Sequence, residues 1–322
     1  MITGKRIQKL LKRTSRIPLA SLNYHLGNYE DVIWLVSDGR SGSTWVSDLI
    51  NWDRCYRELF EPFHPYIVKR VQDFELFQYL RPDDKNSDLG DFLRSVFSGE
   101  FKHLRADVSQ PRLFYKGLLV KDIFAHLLLP WVTRNIPQVQ TILLIRNPFA
   151  VALSKQRLKN WTWMTDPTKF LEQNSLYEDY LAPFEDVIRA VGDDFVERQV
   201  MIWAIVHYVS LLNVSHTDIY VAFYEDFVSN SPKEIANLFK FLNKDQTESE
   251  KLIHRIHQPT RTAKKFHQSI PRESLIDAWK SDLSVQQIDQ GMKILECFQL
   301  DKVYQENLKP NRAALMHRRF AV

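Results

Sequence analysis

Cysteine is almost absent from this chain. Its 322 residues hold two, Cys55 and Cys297. With no CxxC and no Cys/His cluster, no metal site is expected. Two cysteines so far apart in sequence predict buried free thiols and a reducing compartment. No apolar run approaches the roughly 18 residues that a membrane span needs, and no signal-peptide core is visible near Met1. Charge of one sign is not in excess either: the net charge is +4 and the pI about 8.9. Such a mild balance suits a small anionic ligand, and with no DNA- or RNA-binding motif beside it a nucleic-acid partner is not expected. Internal repeats and low-complexity segments are also missing.

What remains is ordinary globular composition, 44% hydrophobic and 25% charged, with ample length to bury a core. Short apolar runs at 32–37, 117–121, 141–145 and 219–223 predict strands covered on both faces, hence a parallel sheet. Helical patterns separate them, so the fold class is α/β with helix crossovers. Ser231-Pro232-Lys233-Glu234 predicts a capping box opening a helix whose apolar face is Ile235, Leu238, Phe239 and Leu242. A last helix is predicted over 284–298 with Val285, Ile288, Met292 and Leu295 inward. Residues 66–112 and 158–200 read as insertions of mixed helix and loop, and 83–88 as an exposed polar loop. The organisation expected is a basic arm at 1–30, one α/β domain at 31–305 and a tail at 306–322. Lys5, Arg6, Lys9, Lys12, Arg13 and Arg16, with Ile7, Leu10 and Leu11 among them, make that arm either a solvated segment or a membrane-surface helix.

Val32-Ile33-Trp34-Leu35-Val36-Ser37-Asp38-Gly39-Arg40-Ser41-Gly42-Ser43-Thr44-Trp45 is the most informative stretch. An apolar run enters a Gly/Ser turn carrying one cation and opens into a helix. That layout delivers backbone N–H groups, hydroxyls and a positive charge to one anion. The nucleotidase pattern GxxxxGK[ST] would need Lys where Ser43 stands, so the turn suits a 5′-phosphate rather than a triphosphate. A second anion site follows. The strand 141–145 ends at Arg146-Asn147-Pro148, with Asn147 suited to a helix N-cap and Pro148 to the first helical position. Arg146 and Ser154 are expected to grip one phosphate. Few nucleotides carry two separate phosphates.

Gly39 to Trp45 resembles the 5′-phosphosulfate loop of sulfotransferases that use 3′-phosphoadenosine-5′-phosphosulfate (PAPS), and Arg146 with Ser154 resembles that family's 3′-phosphate site. Leu118-Leu119-Val120-Lys121-Asp122, Tyr224-Glu225-Asp226-Phe227, Pro259-Thr260-Arg261-Thr262 and the Trp279–Leu283 segment follow in the family's order. Leu59-Phe60-Glu61-Pro62 resembles the FEP segment of the carbohydrate branch and also the position of a catalytic Glu in tyrosylprotein sulfotransferases. Lys121-Asp122-Ile123 lacks the Lys-x-His pair of the cytosolic aryl and steroid branch.

The resemblance implies a P-loop-like parallel sheet flanked by helices, with the acceptor site built from the insertions. It implies PAPS as donor, no metal, and an acceptor hydroxyl, foremost of a carbohydrate. Arg40 with the backbone of Ser41, Gly42, Ser43 and Thr44 would hold the phosphosulfate, and Lys121 would add a second cation. Arg146 and Ser154 would hold the 3′-phosphate, Arg261 would bind the cofactor from a late loop that closes over the nucleotide, and Trp45 would either stack on adenine or pack in the core. Glu61 would be the general base, with His64 its rival. Trp161 and Trp163 would stack on sugar faces or serve as core or lid. A phenol, a peptide tyrosine or a small metabolite is the alternative acceptor. A P-loop kinase or a non-catalytic nucleotide-binding protein is the alternative function. With no anchor in view, the resemblance points to a cytoplasmic enzyme of bacterial type; the oligomeric state is left open.

Overall fold

The computed structural model describes residues 16–26, 29–85, 88–108, 112–158, 161–213, 219–245, 247, 252, 274–304 and 310–316. The basic arm before Arg16 and the Arg261 loop lie outside these described residues.

Five strands form one parallel sheet: β1 (Asp31–Ser37), β2 (Tyr56–Phe60), β3 (Gly117–Asp122), β4 (Gln140–Ile145) and β5 (Ile219–Phe223). Their order is β2-β3-β1-β4-β5. The principal helices are α1 (Arg16–Leu26), α2 (Ser43–Ile50), α3 (Asp88–Phe97), α4 (Leu129–Asn135), α5 (Pro148–Gln156), α6 (Phe195–Asn213), α7 (Tyr224–Ser229), α8 (Ser231–Phe241) and α9 (Val285–Cys297). Side chains alternate across the sheet. Ile33, Leu35, Leu119, Ile142 and Leu144 point to one face and pack on α2, α7 and α8. Trp34, Val36, Leu118, Val120, Leu143 and Ile145 point to the other and pack on α3, α4, α5, α6 and α9.

The four strands expected from apolar runs are present. β2 is an addition: Arg57 and Glu58 interrupt its apolar pattern, yet both are buried. Arg57 donates to Asp107 Oδ2 from Nε at 2.9 Å and from Nη2 at 2.8 Å, and to the carbonyls of Gly99 and Phe101 at 2.6 Å. Glu58 Oε1 accepts from Ser47 Oγ at 2.6 Å. Paired charges can therefore sit where only apolar residues were expected.

Two helical expectations are corrected, and one long helix was not foreseen. α6 starts at the end of the 158–200 segment, read as mixed helix and loop, and runs past it. It is long and apolar enough to cross a membrane by length and composition, and 72% of its apolar window is buried inside the protein. Neighbours on every side explain why it has no polar face to reveal its period. At α8 the capping box does not form. Ser231 is already helical and its hydroxyl bonds the Phe227 carbonyl, while Glu234 bonds Arg312 Nη2 at 2.7 Å. At α9 the box forms instead, between Ser284 and Gln287, and leaves Val285 75% exposed rather than inward. Cys55 and Cys297 are free thiols as expected, but Cys55 is only half-buried and Cys297 is exposed.

Candidate active site

The strands β1 and β4 are neighbours, paired from Ile33–Gln140 to Ser37–Leu144. The chain leaves β1 toward α2 on one face of the sheet and leaves β4 toward α5 on the other. Between two such exits a crevice opens at the carboxyl ends of the strands, the usual ligand position in a sheet of this kind.

The first wall of the crevice is the 38–45 turn. Gly42 has φ +87°, and a Cβ there would lie 2.5 Å from the Tyr224 ring. A side chain at 42 is thus excluded both by conformation and by space. Arg40 has φ +75°, a left-handed conformation that a non-glycine residue adopts at a cost of roughly 1–2 kcal/mol. Arg40, Gly42 and Thr44 are half-buried at the crevice while Ser41, Ser43 and Trp45 are buried. The Ser41 hydroxyl has no hydrogen-bond partner among the described residues. Trp45 packs edge-on against Tyr224 and Phe227, at centroid distances of 6.0 and 6.3 Å, and belongs to the core between α2 and α7.

The second wall is the 146–154 segment. Asn147 caps α5, its Oδ1 accepting from Phe149 N at 3.0 Å and Ala150 N at 3.2 Å, with Pro148 first in the helix as the sequence predicts. The backbone is pinned on both sides of that cap. Trp203 Nε1 donates to the Arg146 carbonyl at 3.0 Å, and the Asn147 N–H donates to Glu225 Oε1 at 2.9 Å. Glu225 also accepts from Tyr304 OH at 2.7 Å; burial pushes its carboxyl up, and these bonds work against that.

The walls meet. Arg40 Nε donates to Ser154 Oγ at 3.1 Å, and Arg146 Nη1 donates to the Arg40 carbonyl at 2.9 Å. The Arg146 guanidinium also lies 4.3 Å above the Tyr224 ring. Burial, and after it the like charge of Arg146, push the Arg40 guanidinium below its ordinary value. Two guanidinium groups brought this close favour an anion between them.

On the other side of β1, β3 carries Lys121 and Asp122 level with Leu35 and Val36. Lys121 Nζ donates to Glu61 Oε1 at 2.6 Å and sits 4.3 Å above the Phe60 ring. Glu61 follows β2 directly, has φ +55°, and donates its N–H to the Lys121 carbonyl at 2.7 Å. Its left-handed backbone is held by that bond and by the ion pair, the sort of strain found at functional sites. Asp122 fixes the same corner: its carboxylate accepts from the N–H groups of Phe63 and Phe124, and burial pushes its carboxyl up to about 7.

His64 is buried between Phe124 and Trp163, with centroids 5.0 Å from each and edge-on to both. Neither ring nitrogen has a hydrogen-bond partner among the described residues. Burial pushes its pKa down, with Glu61 opposing this and Lys121 and Arg105 adding to it, a shift that favours the neutral imidazole beside the Glu61–Lys121 pair. Trp163 in turn contacts Trp161 at 4.9 Å, and Trp161 is packed over Gly39.

Four contributors to the site were not assigned a role from sequence. Asp38 and Lys155 form a buried ion pair of 2.7 Å. Tyr224 supports both Gly42 and Arg146, and Glu225 anchors Asn147. The last two lie in the 224–227 motif, whose order was legible but whose contacts are long-range.

No curated protein matches the sequence significantly. A model of the sulfotransferase domain matches residues 30–311. Among solved structures, the sulfotransferase domain from the curacin biosynthetic pathway is 16% identical over 85% of this chain and 99% of its own, with a TM-score of 0.45. The sulfotransferase domain from the Synechococcus PCC 7002 olefin synthase is 17% identical over 84% of this chain and 95% of its own, with a TM-score of 0.47. Mouse sulfotransferase SULT7A1, solved with PAP (adenosine 3′,5′-bisphosphate), is 13% identical over 90% of this chain and 94% of its own, with a TM-score of 0.43. Since the domain model spans nearly all of the sequence, the chain belongs to the sulfotransferase domain family.

Proposed function

We propose that this sulfotransferase takes the sulfuryl group of PAPS and passes it to an alcohol of a carbohydrate. One observation carries the donor assignment: Arg40 touches Ser154, and Arg146 touches the Arg40 carbonyl. Two cation-bearing segments, each built at the end of a strand, thus form one continuous cradle. The half-exposed Arg40 and Arg146, the glycine-shaped turn and the Ser41 hydroxyl, which has no partner among the described residues, fit a ligand with a phosphate at each end. Mouse SULT7A1 was solved with such a ligand.

The donor supplies an electron-poor sulfuryl group on a phosphate leaving group. The chain's own residues do the rest by position and charge. Arg40 and the turn's N–H groups face the oxygen on which negative charge grows, where one lost donor costs about 2.7–4 kcal/mol of barrier. Glu61 is the base. Its Oε1 is held by Lys121, which leaves the second carboxylate oxygen to take the acceptor's hydroxyl proton. Lys121 thereby orients the carboxylate and adds positive charge beside the crevice. The FEP-like Phe60-Glu61-Pro62 segment and the half-buried Trp163 at this corner support a sugar acceptor, whose ring face an indole can stack on.

Transfer from sulfur-labelled PAPS to a panel of sugars, phenols and tyrosine peptides tests this reading. Label is expected on carbohydrate alcohols. Label confined to phenols overturns the acceptor class, and no label anywhere overturns the donor.

A further inference from the structure

We propose that the buried ion pair between Asp38 and Lys155 is a strut that sets the span between the two phosphate-gripping segments, so that the enzyme selects its donor by the distance between two phosphates. This rests on the reading of the cradle as a holder of a 3′,5′-bisphosphorylated nucleoside.

The β1–β4 ladder fixes only the roots of the two segments. Ser154 lies two turns into α5, beyond the ladder's reach. Its contact with Arg40 is made by the groups that would bind phosphate, so a ligand must exchange it. The pair beneath is different. Asp38 follows β1 directly and opens the turn, and Lys155 directly follows Ser154 on α5. Lys155 Nζ donates to Asp38 Oδ2 at 2.7 Å, with side chains 2% and 0% exposed. The Trp161 ring, itself buried, lies 5.1 Å from Lys155 Nζ and closes over Gly39. Buried, the pair is screened much less than the surface contacts and persists while they are exchanged. A ligand that touches only one segment gains nothing from a fixed span. A ligand that bridges both avoids the cost of bringing them into register.

Calorimetric titration with adenosine 3′,5′-bisphosphate and with adenosine 5′-phosphate tests the strut. The wild type is expected to prefer the bisphosphate strongly. Lys155→Met should cut that preference by about tenfold or more while adenosine 5′-phosphate affinity changes by less than about threefold, because only the bridging ligand feels the lost span. Lys155→Arg, which keeps the charge, should restore most of the preference. A Lys155→Met protein with the wild-type preference, or one that loses both ligands equally, overturns the strut. If Lys155→Met does not fold, the double variant Asp38→Asn/Lys155→Met leaves no unpaired charge in the core. The same loss of preference is expected in it, and a wild-type preference there also overturns the strut. A wild-type protein with no preference at all overturns the bisphosphate reading, and the strut with it.

Discussion

Arg40 donates from Nε to Ser154 Oγ across 3.1 Å, so the cation of the first anion segment touches the hydroxyl at the far end of the second. On the proposed reading the donor site is built across that contact: two strand–turn–helix units, far apart in sequence, would act as one receptor because β1 and β4 are adjacent and their helices leave to opposite faces.

Arg146 is predicted to serve the 3′-phosphate. Arg146→Ala should weaken adenosine 3′,5′-bisphosphate about tenfold to a hundredfold, the worth of a charged hydrogen bond. Adenosine 5′-phosphate should hardly notice. Titration of both ligands checks this, and equal losses would place Arg146 elsewhere.

Glu61 is predicted to act on the acceptor alone. Glu61→Gln should lower turnover by about a hundredfold to ten-thousandfold, the range for a lost general base, with bisphosphate affinity unchanged. His64→Gln should keep far more activity. Steady-state rates for both variants decide the matter, and a His64 variant as slow as the Glu61 variant would move the base to the imidazole.

Gly42→Ala should weaken the bisphosphate by about tenfold or more, since the added methyl meets both a left-handed φ and the Tyr224 ring. The structural cause is the +87° φ and the 2.5 Å approach. Affinity and melting temperature together test it. Unchanged affinity would mean that the turn's backbone shape does not matter to the ligand.

Acid should unfold the protein partly through His207. Burial pushes this imidazole down from 6.5 to about 3, and its Nδ1 bonds the Trp203 carbonyl. A neutral ring is favoured in the folded state, so its contribution is complete above about 6.5 and is lost as the pH falls toward about 3. Within that window the slope is about 1.4 kcal/mol per pH unit. Urea unfolding at several pH values should show His207→Phe losing less stability on acidification than wild type. Parallel slopes would contradict this.

The sheet was legible where strands are sandwiched: β1, β3, β4 and β5 each show as an apolar run. β2 was hidden because Arg57 and Glu58 look solvated until Asp107 and Ser47 are brought to them. α6 was hidden because a helix buried all round has no polar face. At the site, Arg40, Glu61, Lys121, Arg146 and Ser154 stand out through motif order, since each lies at the end of a strand or in the turn or helix that follows one. Their contacts do not show in sequence. The span from Arg40 to Ser154 and the one from Asp38 to Lys155 both cross between strands, and no local pattern records such a pairing.

The donor site is tested most directly by titrating the wild-type protein with adenosine 3′,5′-bisphosphate and, separately, with ATP. Two gripped phosphates and no Lys at position 43 predict that the bisphosphate binds at least about tenfold more tightly. Equal affinity, or a preference for ATP, would contradict it.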